Sequence, residues 1–100
     1  MNNYDIIIED EAYRNLDEIF SYITYSFASI DTAEKILTAL EDAIYSLRML
    51  PERGALRKTG SYADMGFRQL LSGNYIIVYE VDSDRQKVHV LTVQPAMRKF

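Results

Sequence analysis

The sequence predicts an α+β fold with the element order β-α-α-β-β-β, in which a helical hairpin packs on one face of a small, mainly antiparallel sheet. Two patterns support this prediction. Within residues 12–47, apolar side chains recur at steps of three and four, the period of amphipathic helices. Residues 75–93 are instead rich in β-branched and aromatic side chains, which fit the pleated surface of a sheet. Because the chain has 100 residues, we predict a single domain over residues 1–100.

The first two predicted elements are a short strand and a helix. Residues 4–8 form a short run rich in isoleucine, which predicts a strand, and the acidic residues 9–11 follow it. The acidic run stands where the N-terminal end of a helix favours negative charge. The predicted apolar stripe of this helix consists of Ala12, Leu16, Ile19, Phe20, Ile23 and Phe27.

The second helix has clear predicted ends. Asp31 is its expected N-cap, because Glu34 three residues later completes the pattern of a capping box. Pro51 prevents the helix from continuing past Leu50. Only residues 28–30 separate the two helices, so we expect an antiparallel hairpin laid against one sheet face. The apolar stripe of the second helix consists of Ala33, Ile36, Leu37, Leu40, Ile44 and Leu47.

The C-terminal half predicts a meander of three antiparallel strands. Its central strand covers residues 75–81, and turn-forming residues flank it at 72–74 and 82–84. The last strand covers residues 88–93. Residues 51–62 contain two glycines and three basic side chains, so we predict a surface loop there, a kind of segment that often carries function.

Composition excludes several classes of protein. The chain has no cysteine, which excludes disulfide scaffolds, thiolate zinc sites and cysteine nucleophiles. No apolar run approaches the roughly 20 residues of a membrane span, and residues 1–5 lack the basic flank and apolar stretch of a signal peptide. We therefore expect a cytoplasmic protein without membrane association. No motif indicates a metal or a cofactor, and none is expected.

Charge is unevenly distributed along the chain. The formal net charge is −4, but residues 1–50 carry 3 basic and 10 acidic side chains (−7) and residues 51–100 carry 8 and 5 (+3). A polyanion would therefore be held by the C-terminal half alone, and the overall negative charge favours no such partner. The basic residues of that half are equally compatible with solvated surface positions. They are Arg53, Arg57, Lys58, Arg68, Arg85, Lys87, Arg98 and Lys99.

A set of ordered residues covers nearly the full chain and carries a resemblance to a known family. The set comprises an early strand, Ala12, the helical segment 19–23, Leu50-Pro51 with Gly54, Arg68-x-Leu70, Gly73-x-Tyr75, Tyr79 and Arg98. In order and spacing it resembles the toxins of bacterial type II toxin–antitoxin systems in the RelE/ParE superfamily, and most closely the ParE-like branch. The resemblance implies a growth-inhibiting toxin of the kind associated with plasmid stabilization.

The superfamily contains two mechanisms, and the sequence favours one of them. RelE-like members cut messenger RNA on the ribosome, a reaction that needs a base, an acid and cations at the phosphate. In those members an arginine usually follows the hairpin tyrosine, and this chain has Ile76, which cannot bind phosphate. They also commonly carry a C-terminal tyrosine or histidine, whereas this chain offers Phe100. The sequence therefore favours a ParE-like toxin that acts by binding over an enzyme, and the resemblance implies DNA gyrase as its target.

Three alternatives stay open. A RelE-like, ribosome-dependent mRNA endonuclease would draw its cations from Arg57, Lys58, Arg68 and Arg98. The only histidine, His89, would be its candidate general acid, although a histidine within a strand is more often structural. An inactive superfamily member would serve as a binding module, and a small α+β domain could also resemble the toxins by pattern alone.

The candidate target-binding residues are basic side chains of the C-terminal half. They are Arg68, Arg98 and Lys99. Arg68 could instead pair with a carboxylate of the sheet such as Glu80 or Asp82, and Arg98 could be a solvated charge.

Two tyrosines of the first helix are the candidate antitoxin-binding residues. Tyr22 and Tyr25 lie three apart, opposite the apolar stripe, and interfaces favour tyrosine. The resemblance implies a cognate antitoxin whose disordered tail folds across the toxin. The alternative is that the two rings pack against a neighbouring loop.

Overall fold

Two helices cover one face of a mixed five-stranded sheet in the computed structural model, which describes residues 3–98 and 100. The predicted α+β class and the order β-α-α-β-β-β are confirmed, with one short strand in addition. The elements are β1 (Asp5–Ile8), α1 (Asp10–Phe27), α2 (Ile30–Ser46), β2 (Ala55–Leu56), β3 (Arg68–Ser72), β4 (Tyr75–Asp82) and β5 (Lys87–Pro95).

The strands lie in the order β1-β5-β4-β3-β2, and only β1 with β5 forms a parallel pair among the described strands. The helical hairpin connects β1 to the antiparallel meander, as predicted. A bulge interrupts the pairing of β4 with β5, because Val78 pairs with Thr92 but Tyr79 pairs with Val90. The extra residue allows Val90 and Val93 to face the same core although they lie three apart.

The hydrophobic core lies between the helices and the sheet. Helix α1 contributes four of its predicted stripe residues as buried side chains, but Phe27 at its end is 64% exposed, contrary to the prediction. The helix ends there because Ala28 adopts a left-handed conformation with φ of 48°. The buried core residues are Ala12, Leu16, Ile19, Ile23, Ala33, Leu40, Ile44, Leu47, Leu70, Ile77, Tyr79, Val88, Val90 and Val93.

Helix α2 begins and ends earlier than the sequence predicted. Its N-cap is Ser29 instead of Asp31, because the extended Ser29 backbone lets its Oγ accept a hydrogen bond of 3.2 Å from the Thr32 N–H. Asp31 lies in the first turn. The helix ends at Ser46, and the following residues form tighter turns before Pro51.

The stretch 51–62 is not simply the surface loop that the sequence predicted. It contains β2, which pairs antiparallel with β3, and it buries Gly54 and Arg57. A Cβ atom at Gly54 would lie 2.5 Å from the main-chain oxygen of Gln69, so only glycine fits there without a shift. No helix in residues 3–98 is long and apolar enough to cross a membrane.

Candidate functional site

Three adjoining clefts at the C-terminal end of β5 share one residue, Arg98. We call this surface the Arg98 face. The tyrosine groove is lined by Asn15, Glu18, Ile19, Tyr22, Tyr75, Val93, Gln94, Pro95 and Arg98. The middle cleft is lined by Glu11, Ser61, Tyr62, Met65, Thr92, Gln94, Arg98 and Phe100. The tail cleft is lined by Arg57, Thr59, Gly60, Ile76, Ala96, Arg98 and Phe100.

Arg98 presents an exposed guanidinium at the junction of these clefts. Its main-chain N–H donates a hydrogen bond of 3.1 Å to the Pro95 carbonyl, which closes a turn after β5. Within residues 3–98 and 100, its side chain forms no hydrogen bond or ion pair. An exposed, uncommitted guanidinium is able to bind a carboxylate or phosphate through two parallel hydrogen bonds.

Arg57 lines the tail cleft but is only 6% exposed. Its guanidinium donates hydrogen bonds to the Ser61 carbonyl (3.0 Å), the Gln69 side-chain oxygen (3.1 Å) and the Phe100 main-chain oxygen (3.0 Å). The Phe100 ring also lies over it, with 4.2 Å between the guanidinium carbon and the ring centroid. Each of the three guanidinium nitrogens of Arg57 thus already donates one hydrogen bond, which indicates a structural role.

Ile76 lies in the same cleft as Arg57 and Arg98. It pairs with Leu71 on β3 and with Gln94 on β5, so the sheet fixes its position. The side chain is half-buried. The wall of the tail cleft is therefore apolar at the position where the resemblance to RelE-like nucleases would require a cation.

Arg68 does not line any of the three clefts, and its partners differ from those expected. Its guanidinium donates to the Gly54 carbonyl (2.7 Å) and lies 3.7 Å from a carboxylate oxygen of Glu52. The expectation of Glu80 or Asp82 as partner is wrong, because Arg68 is placed opposite Tyr79 and reaches towards the segment that precedes β2.

The remaining predicted cations are not gathered at the Arg98 face. Lys58 is exposed and lines none of the three clefts, and Lys99 lies outside the described residues. Of the basic residues proposed for a nuclease, the structure thus brings only Arg57 and Arg98 together.

His89 likewise lines none of the three clefts. Its Nδ1 lies 2.8 Å from a carboxylate oxygen of Glu9, the residue that precedes α1. His89 pairs with Ile7 across the parallel β1–β5 contact. This placement matches the structural role considered for it, a tie between the first helix and the sheet.

Tyr62 and Tyr75 of the Arg98 face are poor bases. Burial, and secondarily the charge of Glu11, raises the pKa of Tyr62 in the middle cleft. Burial, and secondarily the neighbouring Tyr22, raises the pKa of Tyr75 in the tyrosine groove. Both phenols therefore stay protonated at neutral pH and cannot accept a proton from a ribose hydroxyl.

The tyrosine groove brings Tyr22, but not Tyr25, to the Arg98 face. Tyr22 is 68% exposed and lies over a groove of about 470 Å³, whereas Tyr25 is 91% exposed and outside it. The groove also contains Tyr75 and Ile19, which the sequence analysis assigned to a strand and to the apolar stripe of α1 but not to a binding site. The prediction that Tyr22 lies opposite the apolar stripe is therefore wrong, because the step of three between Ile19 and Tyr22 places both on one side of α1. This spacing was the available signal.

A helical hairpin packed on a mixed five-stranded sheet is consistent with the fold of the RelE/ParE toxins. The family model described as the ParE toxin of the type II toxin–antitoxin system parDE matches residues 6–100. The chain therefore belongs to the ParE toxin family of type II toxin–antitoxin systems, within the RelE/ParE superfamily.

Solved structures with the same fold include a toxin from each branch of the superfamily. A chain of the chromosomal ParDE system of P. aeruginosa superposes with a TM-score of 0.74 at 16% identity, covering 92% of this chain and 95% of that one. A chain of the RelBE2 toxin–antitoxin complex of Mycobacterium tuberculosis gives 0.70 at 21% identity, covering 96% and 95%. A mutant of E. coli RelE in the free state gives 0.60 at 19%, covering 95% and 85%. Among curated proteins, none matches this chain.

Proposed function

We propose that this toxin acts by binding a cellular target through the Arg98 face, that the target is DNA gyrase, and that it does not cleave RNA. The observation that carries the proposal is the apolar Ile76 beside Arg57 and Arg98 in the tail cleft. The proposed site of action is the cytoplasm, where gyrase acts on DNA.

Cleavage of RNA would need more charge than the tail cleft provides. The transition state carries negative charge on its phosphate oxygens, and cations around it are the usual means of stabilisation. In this cleft Arg57 is occupied by Phe100, and Ile76 supplies no donor. One free guanidinium, that of Arg98, is left among the described lining residues. Such a surface suits recognition of a partner better than proton transfer and phosphate chemistry.

We further propose that a cognate antitoxin binds in the tyrosine groove, with Tyr22 as a main contact and Tyr25 as a peripheral one. The groove has an apolar floor that includes Ile19 and Val93, and its lining carries Glu18 and Arg98 with opposite charges. A disordered antitoxin tail that folds here would bury apolar area and pair with both charges. Because Arg98 also borders the other two clefts, the same tail would cover the target-binding side chain.

The experiment that tests the target compares two assays on the purified chain. We expect inhibition of DNA supercoiling by purified gyrase and no cleavage of messenger RNA in a translating extract. Arg98→Ala should lose inhibition, whereas Arg85→Ala, whose side chain pairs with Asp82 in the β4–β5 turn, should keep it. Cleaved messenger RNA with unaffected supercoiling would support the RelE-like nuclease instead.

Expression in bacteria separates a toxin from an inactive binding module. We expect growth arrest when the chain is expressed alone and recovery when the adjacent antitoxin gene is co-expressed. Harmless expression of a folded chain would favour the inactive member.

A further inference from the structure

The segment that follows β5 is fastened to the rest of the molecule at both ends. At its start, the Ala96 N–H donates a hydrogen bond of 2.7 Å to the Asn74 carbonyl in the β3–β4 turn. At its end, the main-chain oxygen of Phe100 accepts hydrogen bonds from the Ser61 N–H (2.9 Å) and from Arg57 (3.0 Å). Arg98 lies between these two attachments, so its backbone is held, although its side chain has no hydrogen-bond or ion-pair partner among residues 3–98 and 100.

The Phe100 attachment is built around a buried cation. A guanidinium that is 6% exposed needs partners for its N–H groups, because an unpaired buried charge is costly. Among the described residues, the partners of Arg57 are oxygens of Ser61, Gln69 and Phe100 together with the Phe100 ring. Phe100 is therefore a required part of the Arg57 environment, and it does not belong to the hydrophobic core.

The loop around Arg57 has a glycine where Phe100 approaches it closely. Gly60 has φ of +74°, a conformation that favours glycine. A Cβ atom there would lie 1.9 Å from the Phe100 main-chain oxygen and 2.8 Å from Arg57 Nη2. The glycine thus permits the close approach of Phe100, which is an observation independent of the hydrogen bonds.

We propose that Arg57 and Phe100 are positioning residues for Arg98: their contact holds the segment after β5 so that the Arg98 guanidinium stands between the three clefts, ready for the target. The proposal rests on the proposed function, in which Arg98 contacts gyrase. Fixing a binding side chain before association lowers the entropy lost on binding, so a released segment should bind the same partner more weakly.

The test compares Phe100→Ala with Phe100→Tyr, which keeps the ring over Arg57. The readouts are the concentration that inhibits gyrase supercoiling, antitoxin affinity, and the order of the Ala96 and Arg98 amides by NMR relaxation. Phe100→Ala should weaken inhibition about tenfold and loosen both amides. Phe100→Tyr should restore most of the inhibition, and the amides of α1 and α2 should be unaffected by either change.

A second arm asks whether Phe100 acts through Arg98. In an Arg98→Lys background, which keeps the positive charge but loses the planar guanidinium, Phe100→Ala should weaken gyrase inhibition by only about twofold or less. The positioning role would be overturned if Phe100→Ala still weakened gyrase inhibition tenfold in that background, or if Phe100→Ala alone inhibited gyrase fully. In either case Arg98 would remain the target contact. Full inhibition by Arg98→Ala would overturn the target contact itself, and the positioning role with it.

Discussion

The main-chain N–H of Gly54 donates a hydrogen bond of 3.0 Å to the hydroxyl of Tyr79, a side chain that is completely buried in the centre of the sheet. Through Gly54 this bond connects the sheet to the segment that also binds Arg68. The tyrosine is therefore both a core residue and the anchor of the chain that leads into β2.

Replacement of Tyr79 by phenylalanine should destabilise the protein, because the buried Gly54 N–H would lose its acceptor. We expect a loss of about 1–3 kcal/mol in the free energy of unfolding, measured by chemical denaturation. Tyr13→Phe is a matched control, since Tyr13 is exposed on α1. Equal stability of the two variants would show that the hydrogen bond contributes little.

Alkaline pH should destabilise the wild type more than the Tyr79→Phe variant. Burial is the main cause that raises the pKa of Tyr79 above its ordinary value of 10.0. It outweighs the hydrogen bond from Gly54 and the charges of Arg68 and Arg53, which lower that pKa. As pH rises, the Tyr79 hydroxyl therefore ionises at a lower pH in the unfolded chain than in the folded protein. Its contribution to the free energy of unfolding is fully present below pH 10 and is lost as pH rises through the pKa of the folded state. Denaturation at about pH 8 and at about pH 10.5 tests this, and parallel losses in both proteins would contradict it.

The Gly60 site offers a comparison between two glycines with similar backbones. Gly60 has φ of +74° and Gly66 has φ of +83°, but only Gly60 has atoms in the way of a Cβ. Both alanine variants should lose about 1 kcal/mol in the free energy of unfolding, because alanine disfavours a positive φ. Gly60→Ala should lose about 1–3 kcal/mol more, or release Phe100 from its contact with Arg57. Denaturation midpoints measure the difference. Equal losses would mean that the Phe100 contact adapts without cost.

The sequence was informative where a local period fixes the structure. The stripe of Ala12, Leu16, Ile19 and Ile23 is buried as predicted, because a helix repeats every 3.6 residues wherever it packs. The N-cap was misplaced because both Ser29 and Asp31 are suitable caps, and only the backbone path between the helices selects one of them.

The candidate site was less predictable, because it depends on contacts between distant residues. Arginines are usually exposed, so nothing in residues 51–62 indicated that Arg57 is buried by a residue 43 positions away. The proximity of Ile76 to Arg98 follows from the register in which Tyr75 pairs with Pro95, and a strand pattern does not give its register. In the same way, Tyr22 meets Tyr75 only after α1 has packed against the sheet.

The tyrosine groove predicts a difference between Tyr22 and Tyr25. Tyr22→Ser should weaken antitoxin binding tenfold or more, because its ring borders the groove, and Tyr25→Ser should have a smaller effect. Both rings are largely exposed, so the melting temperature should change little in either variant. Calorimetric titration and thermal unfolding measure the two effects. Unchanged affinity with a lowered melting temperature would mean that Tyr22 supports the fold and does not contact the antitoxin.

Ile76→Arg tests whether the missing cation is the only obstacle to RNA cleavage. The new guanidinium would enter the tail cleft beside Arg98, but Arg57 would still be bound to Phe100 and the Tyr62 phenol would still be protonated. We therefore expect no cleavage of messenger RNA in a translating extract, because the described lining of the tail cleft supplies no base to activate the 2′-hydroxyl. Ile76→Gln, which adds polarity without charge, controls for a simple change of cleft shape. If Ile76→Arg cleaved RNA and Ile76→Gln did not, a base would have to be present on this face, and the toxin would be one substitution away from nuclease chemistry.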